Sequence, residues 1–285
     1  MDMVDMVDMV DMVDRARRNF LVRNSVGYAG VVTAGLWSRV GAAQNRQSAM
    51  NCLASPPAVP RDVGPGEKFS VDGAAQPYPG NTIICPIAES NPALDELCAA
   101  YEELRTNTRA GNLAWLPPSS YHSTIFDGAT NANRRPGDWP QMLPLNASMD
   151  ECNRDVADRL QHMSAGIAAP IRMVVDMDEV ENIPAGVLLK PVDAAENRRL
   201  RKLRDAISLA TGIRHANHDD YRFHTSFAYY VRLFSPAAEA SYRSSYVKML
   251  HRLNKKLPVI ELGSPEYCVF QDMLAYQTQF ALKNV

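Results

Sequence analysis

The chain has 285 residues, 46% of them apolar, and a formal net charge of −2. That is enough apolar material for one large domain or two small ones. The near-neutral balance excludes broad electrostatic capture of long nucleic acid and leaves a small phosphorylated substrate compatible.

The amino terminus opens with a perfect Asp-Met-Val repeat up to Asp14, too simple to build a core. Arg15, Arg17, Arg18, Phe20 and Leu21 then precede a modestly apolar stretch from Val26 to Trp37 and the small residues Gly41, Ala42 and Ala43. Charged, apolar and small-residue regions in that order have a secretory layout. The Arg-Arg-x-Phe-Leu core resembles a twin-arginine transport signal, an address and not a stable membrane anchor. Residues 1–43 are therefore expected to be repeat plus export signal, giving a periplasmic or extracellular protein. A mitochondrial or cytoplasmic location is the alternative. Residues 44–66, with Pro56, Pro57, Pro60 and Pro65, read as a linker. Residues 67–285 read as the folded domain.

Strand and helix patterns alternate through that domain. Thr82–Ile87 is a short apolar strand. Asn91 and Pro92 start a helix whose stripe is Leu94, Leu97, Cys98, Tyr101 and Leu104. Leu113–Leu116 and Tyr121–Phe126 are strands. After a turn-rich insert around Arg135–Pro140, Ser148-x-x-Glu151 predicts a capping box, followed by the stripe Met149, Cys152, Val156, Leu160 and Met163. Ile171–Met177 and Val187–Leu189 are strands. Asp193-x-x-Glu196 resembles another cap, ahead of Leu200, Leu203 and Ile207. Tyr221–Tyr230 reads as one strand. Ser235 and Pro236 open a last helix with Tyr242, Tyr246, Met249, Leu250 and Leu253 on one face, and Val259–Leu262 and Tyr267–Phe270 close the chain as strands. The result is an α+β class with two pseudo-symmetric lobes of antiparallel sheet packed with helices.

Two tripeptides stand out: His122-Ser123-Thr124 and His224-Thr225-Ser226, one in each lobe. Alternation along a strand puts His122 with Thr124 and His224 with Ser226. Two imidazoles can divide proton transfer, and neighbouring hydroxyls can hold a phosphate. About one histidine in eight shows His-x-Ser/Thr by chance, so with six histidines the surroundings must decide. By the same alternation Phe126 and Tyr230 fall on the histidine faces as possible stacking contacts, and Arg222 as a phosphate contact. Five scattered cysteines without C-x-x-C spacing make a poor disulfide frame or zinc site; Cys85, Cys98 and Cys268 are expected as buried thiols.

The blocks around the tripeptides carry a family likeness. Asp72-Gly73, Pro79–Thr82, Leu116–Thr124, Phe126–Gly128, Ala210–Ile213, Tyr221–His224 and Pro265–Cys268 resemble the two-histidine (2H) phosphoesterase superfamily, in particular a LigT-like bacterial and fungal branch. The likeness spans roughly residues 67–285, with Ser226 where Thr is commoner. It implies a metal-independent phosphodiesterase that opens a cyclic phosphate, such as a 2′,3′-cyclic nucleotide or RNA end, with no cofactor. His122 and His224 would be the acid/base pair, and Thr124 and Ser226 the phosphate-binding hydroxyls. In such enzymes the second motif often supplies the base, but these residues do not decide the assignment.

Two other readings remain at this stage. His215, His218, Asp219 and Asp220 offer ligands for a metal-dependent hydrolase, and the same cleft can serve a non-catalytic nucleotide- or RNA-binding module. Partners are expected to be limited to the small phosphorylated substrate, with the protein monomeric.

Overall fold

In the computed structural model the described residues are 60–283, except 88–89, 109–110, 165, 167–168 and 179–184. The Asp-Met-Val repeat, the expected signal and residues 44–59 of the expected linker lie outside them. Residues 60–66 form turns in which buried Val63 bridges Phe69.

Among the described residues, four α-helices form where capping chemistry and apolar spacing coincide. In α1 (Pro92–Asn107), the Asn91 side chain accepts from the backbone N–H of Ala93, and Pro92 occupies the first turn. In α2 (Met149–Gln161), both halves of the Ser148–Glu151 capping box are present. In α3 (Ala194–Thr211), Asp193 accepts from the Glu196 N–H at 2.8 Å. Glu196 does not complete a box there: its carboxylate turns inward to accept from the Arg172 N–H at 3.0 Å. Ser235 caps α4 (Pro236–Lys256). An unsatisfied first-turn N–H is what each of these side chains answers.

The strands among the described residues are β1 (Gly80–Pro86), β2 (Leu113–Trp115), β3 (His122–Thr130), β4 (Ile171–Val175), β5 (Gly186–Pro191), β6 (Phe223–Ser226), β7 (Ala228–Tyr230), β8 (Ile260–Leu262), β9 (Glu266–Phe270) and β10 (Gln277–Ala281). They make two four-stranded antiparallel sheets, ordered β10-β9-β1-β3 and β6-β5-β4-β8, with β2 and β7 paired separately. The halves interlace: β4 precedes β5 in the chain yet pairs with it in the second sheet, while β9 and β10 return to the first. The class is α+β and each sheet carries one histidine motif, on edge strands β3 and β6 that pack against each other.

Two local breaks depart from simple strand alternation. Opposite β3, Ile83 pairs with Phe126 and Ile84 with Thr124, leaving Ile125 as the extra residue of a β-bulge. The stretch expected as one strand from Tyr221 to Tyr230 divides at Phe227, where the N–H groups of Phe227 and Ala228 both donate to the Ala185 carbonyl at 2.8 Å. Beyond that point β7 pairs with β2. Gly186 is required beside β6, because a Cβ there would lie 2.2 Å from the Thr225 carbonyl oxygen.

Candidate active site

The site is built from the two edge strands upward. On β3, His122 and Thr124 are half-buried, while Ser123 and Ile125 are buried on the opposite side. On β6, His224 and Ser226 are half-buried, while Phe223 and Thr225 face the core. The period-two expectation therefore holds within both tripeptides.

Each imidazole is fixed in the same way. The carbonyl of Ser120, at the end of a short 3-10 turn (Pro118–Ser120), accepts from His122 Nδ1 at 2.7 Å. The carbonyl of Arg222 accepts from His224 Nδ1 at 3.1 Å. A carbonyl cannot donate, so Nδ1 carries the hydrogen on both rings and Nε2 is left for chemistry. The two rings interact electrostatically: burial first, and then the like charge of His224, pushes His122 down to about 4, against the opposing pull of the Ser120 carbonyl and the Asp127 carboxylate. A neutral His122 at neutral pH presents an Nε2 lone pair, the requirement for a proton acceptor.

The bulge decides what else enters the cleft. It turns Phe126 inward, where it is 1% exposed and rests against the rings of His215 and His218. Phe126 is thus a core residue, and its expected place on the histidine face is corrected. Asp127 takes the outward phase. Tyr230 also leaves the His224 face, because it belongs to β7, and its ring packs against Phe234 and Tyr242. Arg222 is exposed and lines a groove of about 520 Å³ with Lys190 and Arg201, whose lining includes neither motif histidine.

Three residues that sequence reasoning did not assign complete the surroundings. Tyr276 stands edge-on to His122, ring centroids 4.4 Å apart. The Tyr221 hydroxyl reaches Asp127 at 3.4 Å. Asp127 and Tyr221 sit inside the blocks that carry the family likeness, so a signal existed. Tyr276 stands between Met273-Leu274-Ala275 and Gln277-Thr278-Gln279, a stretch with no apolar alternation, which offered none.

The alternative metal region is divided by the fold. His215 Nδ1 meets the Asp138 carboxylate at 2.7 Å, and Nε2 donates to the Asp127 and Gly128 carbonyls at 3.0 Å. Both of its nitrogens are occupied in bracing β3. Asp205, His218 and Asp219 do converge, with ligand atoms within 4.8 Å of one another. The Arg214 guanidinium already bridges the two carboxylates, at 3.4 Å and 2.6 Å. A divalent ion would have to displace that guanidinium.

Residues 68–183 match a family model labelled 2H-phosphodiest and described as a domain of unknown function (DUF1868). Over those residues the chain is similar to the 2H-phosphodiest family. The matched span holds the first histidine motif and ends before the second. A crystal structure of a conserved protein of unknown function from Agrobacterium tumefaciens str. C58 is similar at a TM-score of 0.70 and 28% identity, covering 76% of this chain and 91% of that one. No curated protein matches the chain. That likeness supports a phosphodiesterase type of function.

Proposed function

We propose that the chain is a metal-independent cyclic phosphodiesterase. The observation that carries the reading is the paired geometry: two His-x-Thr/Ser strands meet at the edges of two sheets, each with Nδ1 held by a backbone carbonyl and Nε2 left for chemistry. Water attacks the phosphorus of a 2′,3′-cyclic phosphate as His122 Nε2 takes its proton. The bond from phosphorus to one ribose oxygen breaks, and protonated His224 gives its Nε2 proton to that oxygen. The Thr124 and Ser226 hydroxyls donate to the non-bridging oxygens, where charge accumulates. This reverses the base assignment that the family likeness suggests, because burial keeps His122 neutral. Arg222, exposed and two residues before His224, would contact the rest of a small substrate.

Hydrolysis of 2′,3′-cyclic AMP, with and without EDTA, tests the reading. His122→Ala and His224→Ala should each lower kcat/KM by about 10²–10⁴-fold, with EDTA without effect. Unchanged turnover in either variant removes that residue from the mechanism. Binding without turnover in the unaltered protein would mark a nucleotide-binding module instead.

We further propose that residues 1–43 direct export of a monomeric protein. A reporter fused to residues 1–50 should leave the cytoplasm, and export surviving Arg17→Lys with Arg18→Lys would overturn the twin-arginine route.

A further inference from the structure

Tyr276 comes from the connection between β9 and β10, and β10 and β3 are the two edge strands of their sheet. Its contact with His122 therefore spans the face of that sheet, with ring centroids 4.4 Å apart and planes at 63°. Two neighbours hold the phenol in place. Its hydroxyl donates to Met273 Sδ at 3.8 Å, and the Tyr229 hydroxyl on β7 donates to the same sulfur at 3.5 Å. Met273 is 3% exposed, so this sulfur is an internal anchor that ties the connection to β7. The Phe270 ring backs the phenol, centroids 5.3 Å apart. Gly80 makes room for that ring, since a Cβ there would lie 2.6 Å from Phe270 Cζ.

We propose that Tyr276 is a positioning residue for His122, its ring fixing the plane of the imidazole and keeping bulk water from it. The Ser120 carbonyl holds that imidazole at Nδ1 alone. The torsion that turns a histidine ring is intrinsically broad, so one hydrogen bond leaves it free to rock. An aromatic ring packed against the imidazole removes that freedom. Tyr276 acts by cover and not by charge. Burial raises its phenol well above the ordinary value, so it stays neutral, and its hydroxyl proton is engaged with the Met273 sulfur. The charged groups that act on His122 oppose each other: His224 on β6 lowers its affinity for a proton, and Asp127 on β3 raises it. Desolvation is left to decide, and the phenol is the aromatic ring that supplies it. His224 has a looser aromatic neighbour, Tyr221, at 6.4 Å. The catalytic consequence rests on the phosphodiesterase reading; the positioning itself does not.

Tyr276→Ala removes the ring, and Tyr276→Phe keeps it while losing only the tie to sulfur. In an NMR titration the His122 midpoint should rise in Tyr276→Ala by at least about one pH unit, from about 4 toward the ordinary 6.5. In Tyr276→Phe it should stay close to that of the unaltered protein. An unchanged midpoint in Tyr276→Ala, or an equal rise in both variants, overturns the proposal. In the unaltered protein, nuclear Overhauser contacts should join the Tyr276 ring protons to those of His122. Their absence overturns the proposal as well, and this measurement stands even if Tyr276→Ala does not fold. For turnover of 2′,3′-cyclic AMP, the acid limb of kcat/KM should move up with the His122 midpoint in Tyr276→Ala, because only neutral His122 can take a proton. A raised midpoint with a stationary limb would support the positioning and remove His122 from the role of base. Absence of turnover in the unaltered protein would sink the phosphodiesterase reading and leave the titration to decide the positioning.

Discussion

The two histidine motifs share a grammar but not an environment. His122 sits on a nine-residue strand beside a bulge, with Tyr276 edge-on to its ring and Asp127 on the same strand. His224 sits on a four-residue strand that ends at Ser226, next to exposed Arg222. Backbone carbonyls fix both tautomers alike, so the contrast lies in desolvation, which lowers the affinity of His122 for a proton. Internal repetition supplies two equivalent groups, and unequal packing around them can turn an equivalent pair into an acid and a base.

The largest expected effect would break that comparison at its centre. A general acid matters when the leaving oxygen is basic and becomes dispensable when it is not. With a p-nitrophenyl phosphodiester, His224→Ala should recover most of the roughly 10²–10⁴-fold loss expected on a cyclic ribonucleotide. His122→Ala should recover little, because water still has to lose a proton. The opposite pattern in kcat/KM would exchange the two roles.

A smaller effect concerns pH. The folded protein holds His122 neutral down to about pH 4, whereas the ordinary value is 6.5. Its contribution to stability is therefore complete above about 6.5 and is lost as pH falls toward 4. The groups facing this ring are His224 across the cleft, Asp127 on its own strand, Tyr276 and the Ser120 carbonyl. Asp127 opposes the depression, so Asp127→Asn should move the His122 midpoint further down and draw the acid limb of kcat/KM with it. An NMR titration of the His122 ring measures the shift. An upward shift would mean that Asp127 does not act on His122 through its charge.

The contrast between legible and illegible regions follows the same local physics. Helix starts were readable at Asn91, Ser148, Asp193 and Ser235 because a cap is a short-range bond between neighbouring residues. The motif faces were readable because alternation holds over three residues. Phe126 was misplaced because a bulge depends on pairing with β1, a distant partner. Tyr230 was misplaced because the break at Phe227 is imposed by the Ala185 carbonyl. Cys98 is only partly buried, although the apolar spacing on α1 places it in the stripe. Strand β10 was not anticipated at all: Gln277, Thr278 and Gln279 are exposed and polar, and pairing with β9 alone makes it a strand. Tyr276, beside it, was hidden for the same reason.

The smallest expected effect separates the ends of each tripeptide from its middle. Ser123 and Thr225 are 0% and 1% exposed, and neither hydroxyl has a hydrogen-bond partner. A buried hydroxyl without a partner costs on the order of 1–3 kcal/mol, so removing it relieves a penalty and opens almost no cavity. Thr225→Val, which keeps the shape, should leave kcat/KM within about twofold and raise stability by about 1 kcal/mol in urea unfolding. Ser123→Ala should do the same with a smaller gain, since it leaves a small void. His-x-Thr/Ser would then be a pattern whose outer residues face the cleft and whose middle residue answers only to the core. Loss of activity in Thr225→Val without loss of stability would show instead that the middle hydroxyl reaches the cleft, and that the strand phase assigned to β6 is wrong.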